Sequence, residues 1–253
     1  MTSSSPVVFL HAFPLDGTMW RAQEERLPGD RVVLRPDFPG FGGKPATASS
    51  LDEFAEAVIA EMDSAKVEDA VLVGLSMGGY VSFRIMERWP ARVRALVLAD
   101  TRAGADSSEA AEKRTQQAAR ARKEGVGWLA DAMVPALLGD TTLDSRPDVE
   151  ARVRKIIDRA DPEGVARALE AMRDRPNSTA LLARIDVPVL AMVGAEDTLT
   201  PEAEARTIVE GVPNGELVVI PAAGHISNLE APEAFDLALD TLLGRVDADR
   251  TDG

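Results

Sequence analysis

The stretch VLVGLSMGGYVSFR, Val71 to Arg84, decides how the chain is read. Val71, Leu72, Val73 and Leu75, with Gly74 among them, have the unbroken apolar character of a strand buried on both faces. Gly78 and Gly79 then open a helical pattern through Val81, Phe83, Ile85 and Met86. Ser76 sits on the bend between the two. A serine is turned out of a fold on a tight strand-to-helix bend only where the backbone is strained and the residues two positions to either side lack bulk, and Gly74 and Gly78 meet that need. Such a pentapeptide also arises by chance, so its weight depends on what the rest of the chain places around it.

On the N-terminal side, Pro6 to Leu10 reads as a short strand running into His11-Ala12-Phe13-Pro14, and Trp20 to Leu27 as a helix. Arg31 to Pro36 reads as a second strand ending in the glycine-rich turn Asp37-Phe38-Pro39-Gly40-Phe41-Gly42-Gly43. Leu51 to Ala65 carries apolar residues at helical spacing, with Ser50 as its cap. On the C-terminal side, strands are expected at Arg94 to Asp100, Val187 to Val193 and Glu216 to Ile220, and a closing amphipathic helix at Pro232 to Leu243. Strands alternating with helices predict a parallel sheet of about six strands with right-handed crossovers. The alternation stops between Ala103 and Arg184. Helices are expected there at Ser107 to Glu124, Val126 to Leu138, Val149 to Arg159 and Pro162 to Asp174. A helical insertion between two strands cannot continue the sheet, so residues 103–184 are expected to cap it, with residues 1–102 and 185–253 as the core.

Composition narrows the partners. The 253 residues are 45% hydrophobic, enough to bury the core of one domain. The formal charge of −14 with dispersed Lys and Arg gives no footprint for nucleic acid or an anionic membrane. Cysteine is absent, which excludes disulfides and a thiol nucleophile and fits a reducing compartment. The start has no basic region and no window approaches a membrane span, so a cytoplasmic location is expected; the polar ends, Thr2 to Ser5 and Asp247 to Gly253, are expected to fray. Nothing in the sequence points to an oligomeric state.

Ligands of such sheets sit beyond the carboxyl ends of the strands, and that is where the reactive residue types fall. Ser76 follows the third strand, Glu196-Asp197 the fifth and Gly224-His225 the sixth. A serine hydroxyl needs a base, and the base a carboxylate to fix its tautomer. Only two histidines are present, His11 and His225. His225, on a glycine-preceded loop, is placed to reach Ser76. His11 is expected to tie down the first loop, because as a metal ligand it would lack partners. For the acid, Asp197 is preferred to Glu196, expected in solvent, and to Asp100, expected to brace the hinge of the insertion. The N–H of Met77 at the start of the helix, with Phe13 N–H as partner, would stabilise an oxyanion.

Together these segments resemble the α/β-hydrolase superfamily over essentially the whole length. HAFPLDGTMW is similar to its oxyanion loop, DFPGFGGKP to its D-x-P-G-x-G turn, GLSMGG to its elbow, VGAEDTLTP to its acid loop and AAGHISNLEAP to its histidine loop. The resemblance implies Ser76 as nucleophile, Asp197 as acid, His225 as base, and Phe13 and Met77 as oxyanion donors, with neither metal nor organic cofactor. Ala12 replaces the usual glycine of the oxyanion loop, Lys44 replaces a small hydroxyl residue, and the chain starts at the strand ahead of that loop. Within the superfamily, the elbow, Trp20 and WPARVRALVLADT resemble small esterases and 3-oxoadipate enol-lactone hydrolases, which implies a small ester or lactone substrate and perhydrolysis as a side activity. Two other activities use the same residues: carbon–carbon cleavage or elimination, and ligand binding with little turnover. Trp128, Leu129 and Met133 are candidates either for the wall of an acyl pocket or for the insertion's own core, Ile226 is a further candidate wall, and Arg102, Arg146 and Arg173 are candidates either for a cation facing a substrate carboxylate or for solvated surface residues.

Overall fold

The computed structural model describes residues 4–251. Its strands are β1 (Val7–Leu10), β2 (Val33–Leu34), β3 (Ala70–Leu75), β4 (Val93–Ala99), β5 (Val189–Gly194) and β6 (Gly215–Ile220). They form one sheet in the order β2-β1-β3-β4-β5-β6, with every neighbouring pair parallel. β1, β3 and β5 are buried at every position, as their continuous apolar runs require, whereas the edge strand β6 is partly exposed. The sheet winds one way from β1 to β2 and the other way from β3 onward. The carboxyl ends of β1 and β3 therefore flank the point of reversal, where a crevice opens.

Between the strands lie a 3₁₀ turn (Gly17–Trp20), α1 (Arg21–Arg26), α2 (Leu51–Ser64) and α3 (Met77–Arg88). Right-handed crossovers with a reversal after β2 send α1 to one face and α2 with α3 to the other. α2 begins with the expected cap. Ser50 Oγ accepts from Glu53 N–H at 3.2 Å, and the Glu53 carboxylate accepts in return from Ser50 N–H at 3.1 Å. After β4 the chain makes six helices before the sheet resumes: α4 (Ser108–Glu124), α5 (Leu129–Leu137), α6 (Asp140–Ser145), α7 (Pro147–Ile157), α8 (Pro162–Arg173) and α9 (Thr179–Leu182). The two shortest, α6 and α9, have no clear apolar period and were not legible in the sequence. α10 (Glu202–Gly211) joins β5 to β6, and α11 (Ser227–Glu230) precedes α12 (Pro232–Thr251), which packs beside α1.

Three boundaries differ from expectation. The second strand is only Val33–Leu34, because a half-exposed edge segment finds ladder partners on one side alone. The helix expected from Trp20 starts as the 3₁₀ turn, whose N–H of Thr18 is capped by the Asp16 carboxylate at 2.9 Å. The last helix runs past Gly244 to Thr251 because Asp247 is tied to the start of the chain. Its carboxylate accepts from Ser5 N–H at 2.8 Å and pairs with Arg31 at 2.7 Å. Ser5 and Asp247 are therefore held rather than frayed, while Thr2, Ser3, Asp252 and Gly253 lie outside the described residues.

The elbow glycines are fixed by sterics. A Cβ on Gly78 would lie 2.2 Å from the carbonyl oxygen of Leu10 in β1, and one on Gly74 would lie 2.5 Å from the carbonyl oxygen of Gly78. Strand, helix and neighbouring strand touch backbone to backbone there. Gly78→Ala is expected to destabilise the protein by about 3 kcal/mol, the upper range for overpacking a site that cannot relax. Urea unfolding checks this, and an unchanged midpoint would mean that α3 is free to move away from β1.

Candidate active site

Ser76 occupies the bend between β3 and α3 with φ 55° and ψ −112°, a conformation that L-residues rarely adopt. The strain is held by surrounding hydrogen bonds. Ser76 N–H donates to Ala99 O at 2.9 Å, and Ser76 O accepts from Gly79 N–H at 2.9 Å and from Thr101 Oγ at 2.8 Å. Its hydroxyl thus stands at the carboxyl edge of the sheet.

His225 reaches it from the loop after β6. Nε2 lies 2.8 Å from Ser76 Oγ, and Nδ1 lies 2.9 Å from Asp197 Oδ2. A carboxylate at Nδ1 accepts a hydrogen bond from that nitrogen's N–H, which fixes the tautomer and leaves the Nε2 lone pair facing the serine hydroxyl. Asp197 is itself fixed, because Oδ1 accepts from the N–H groups of Leu199 at 2.8 Å and Thr200 at 2.9 Å, and Oδ2 accepts from Thr200 Oγ at 2.6 Å. Burial pushes the Asp197 carboxyl up, but the attraction of His225 and these hydrogen bonds outweigh it and hold the group below its ordinary range. Burial pulls His225 down, and the charge and hydrogen bond of Asp197, aided by Asp100 and Glu230, leave it raised above 6.5.

The two competing acids have other work. Asp100, fully buried, accepts from Gly194 N–H at 2.8 Å and from Ser227 Oγ at 2.5 Å, so it ties the end of β4 to the start of the acid loop and to the first residue of α11, just past His225. Burial and then the charge of Asp197 push its carboxyl up to about 8. Glu196 is not simply solvated. It accepts from Thr141 N–H at 2.9 Å and Thr141 Oγ at 2.5 Å, capping α6. Sequence reasoning missed Glu230, a buried carboxylate that accepts from the N–H groups of Gly224 at 3.0 Å, Ile226 at 3.1 Å and Gly139 at 2.7 Å. It brackets His225 on both sides and fastens that loop to the turn after α5. A further bond from His225 N–H to Leu137 O at 3.0 Å does the same.

His11 is fully buried. Its Nε2 accepts from Phe38 N–H at 3.0 Å, and Nδ1 lies 3.0 Å from Ala12 O, so it joins the first loop to the glycine-rich turn. Burial holds its pKa below the ordinary value, as an Nε2 acceptor requires. The Ala12 N–H donates to Met19 Sδ at 3.3 Å, which joins the loop to the 3₁₀ turn. Among the described residues, the N–H groups of Phe13 and Met77 have no protein partner, and Met77 is the first residue of α3, where no intrahelical acceptor exists.

Ser76, His225 and Phe13 line a cavity of about 270 Å³ roofed by α4, α5 and α8. Of the four expected wall residues only Met133 lines it, with its neighbours Ala132, Ala136 and Leu137. The Trp128 indole donates back to Gly125 O at 2.9 Å and is covered by the Arg120 guanidinium 4.2 Å from the ring, so it serves the α4–α5 turn. Leu129 and Ile226 belong to the core instead. Of the three candidate arginines Arg102 lines the cavity, whereas Arg146 pairs with Asp148 and Arg173 with Asp174. Two further cations were not foreseen, Lys113 and Arg114 of α4. Ala110, Lys113, Arg114 and Gln117 fall at i, i+3, i+4 and i+7, a stripe that the sequence displays but that polar composition disguised as a solvated face.

The sequence pattern of the alpha/beta hydrolase family matches residues 7–236. The chain belongs to that family. Among relatives, 3-oxoadipate enol-lactonase 2 of Acinetobacter baylyi is 26% identical over 244 residues, covering 94% of this chain and 88% of that protein. A solved thermophilic esterase from Thermogutta terrifontis is 38% identical with a TM-score of 0.93, covering 98% of this chain and 92% of that one. The enol-lactonase of Burkholderia xenovorans LB400 is 29% identical with a TM-score of 0.88, covering 95% and 92%. This alpha/beta hydrolase therefore has esterase and lactonase relatives along nearly its full length. Among the described residues, no helix is long and apolar enough to cross a membrane.

Proposed function

We propose that the protein is a serine hydrolase of carboxylic esters or lactones, and that its substrate carries a carboxylate. The observation that carries the first part is the chain of contacts from Ser76 Oγ through His225 to Asp197 at the floor of a cavity. His225 Nε2 takes the Ser76 proton as Oγ attacks the substrate carbonyl. The negative charge gathers on the carbonyl oxygen, within reach of donors from Phe13 and Met77, and the α3 dipole favours it. Collapse expels the alkoxide, which takes the proton from His225, and leaves an acyl ester on Ser76. Water, deprotonated by His225, repeats the attack and releases the acid. Residues 103–184 act as the cap that closes this chamber, held to the core through Glu230, Glu196 and the contact of Gly164 with Gly40, where a Cβ on Gly40 would lie 2.5 Å from Gly164 Cα.

The second part rests on charge. Arg114 pairs with Asp106 at 2.5 Å, and Arg102 lies 3.6 Å from Glu204 and donates to Leu199 O. The Lys113 side chain has no hydrogen bond or ion pair among the described residues, which leaves an exposed cation at the edge of the cavity with no internal partner. The related esterase from Thermogutta terrifontis binds malate, a dicarboxylate, which supports an anionic ligand here. A matched panel tests both parts: neutral p-nitrophenyl esters, the corresponding hemi-esters of dicarboxylic acids, and lactones with and without a carboxylate. Lys113→Gln is expected to raise KM for the carboxylate-bearing member about tenfold and to leave the neutral one unchanged, the loss of one charge-assisted contact. Equal effects on both would discard the carboxylate, and no turnover of any member would discard the hydrolase.

The pH profile follows from the same geometry. His225 acts as base only when neutral, and its pKa is raised, so kcat/KM should fall as pH drops through a value above 6.5. An acid limb at or below 6.5 would mean that the Asp197 contact is not maintained in solution.

A further inference from the structure

A second cleft lies away from Ser76, where the 3₁₀ turn and α1 meet α7. It encloses about 320 Å³ and is lined from the sheet side by Thr18, Arg21 and Glu25, and from the other side by Arg152, Lys155 and Arg159. In a chain of net charge −14 most arginines have carboxylate partners; here four cations face one another with little to balance them. Arg159 lies 3.5 Å from Asp16. Arg152 is half-buried and donates to Thr18 O at 2.9 Å, but among the described residues it has no carboxylate within ion-pair distance. Among the described residues, the side chains of Arg21 and Lys155 have no hydrogen bond or ion pair.

That arrangement is unfavourable without a ligand. Burial, followed by the charge of Arg21, lowers the Arg152 pKa. Arg152 and Lys155 are three apart on α7 and share one face. Against Glu25 and Asp16, the four cations leave an excess of two positive charges. A phosphate monoester carries about −1.5 to −2 at pH 7, and guanidinium groups match its oxygens with paired donors.

We propose that this cleft binds a phosphate-bearing small molecule through Arg21, Arg152, Lys155 and Arg159. The ligand bridges the segment that follows the Phe13 loop to α7, so its binding holds the helical insertion against the sheet. Calorimetric titration with inorganic phosphate and with pyrophosphate, at ionic strength held constant with NaCl, tests the site without reference to hydrolysis. Saturable binding is expected below about 10 mM, with the melting temperature raised by roughly 3–5 °C at ten times Kd. The variants Arg21→Gln and Lys155→Gln, at exposed positions, should each weaken binding about tenfold and leave the ligand-free melting temperature no lower than that of the wild type. No heat beyond the NaCl blank, equal affinity in both variants, or saturable binding of citrate but not of phosphate would each overturn the proposal.

Discussion

Ser76→Ala is expected to lower kcat for ester hydrolysis by at least about 10⁴-fold, the loss seen when a nucleophile is removed and only the oxyanion donors and binding remain. The melting temperature should stay within a few degrees. The bend is held by backbone contacts to Ala99 and Gly79 and by the Thr101 hydroxyl, none of which involves the Ser76 side chain. What the variant loses in the fold is one hydrogen bond to His225, about 1 kcal/mol. Steady-state kinetics and a thermal melt on the same preparation check both halves. Retained activity would remove the serine from the chemistry, and a collapse of the melt would make it a structural residue.

Asp197→Asn should cost nearly as much, about 10⁴-fold in kcat, for a different reason. An amide nitrogen facing His225 Nδ1 turns that atom into an acceptor and moves the ring proton to Nε2, where it blocks proton transfer from Ser76. Asp100→Asn should cost less than about tenfold. Burial pushes the Asp100 carboxyl up, and an amide in its place can still accept from Gly194 N–H and donate to Ser227 Oγ. The two variants compared at pH 7 decide which acid serves His225. The reverse ranking would move that role to the end of β4.

The site's frame was legible because it follows from strand order. Ser76, Asp197 and His225 each stand just past a run of apolar residues, and a parallel sheet brings the carboxyl ends of its strands to one edge. Residues that depend on contacts between distant segments were not legible. Nothing near Glu230 announces that it will bracket His225, and Glu196 looked like solvent until α6, a helix too short to show a period, was seen to end on it. Trp128 shows why a pocket wall and the insertion's own core look alike in sequence: what separates them is its indole N–H, which needs an acceptor and finds one in its own turn, at Gly125 O. Lys113 and Arg114 are not foreseen because cations on a polar helix are usually solvated; only the packing of α4 against α8 sets them at the cavity.

The central claim is that Ser76 is a nucleophile activated by His225, and covalent capture tests it most directly. A fluorophosphonate, followed by intact mass and peptide mapping, is expected to add one group per chain, on Ser76, with no adduct on Ser76→Ala. A wild-type chain that remains unlabelled, or an adduct that persists at the same rate in Ser76→Ala, would contradict the account.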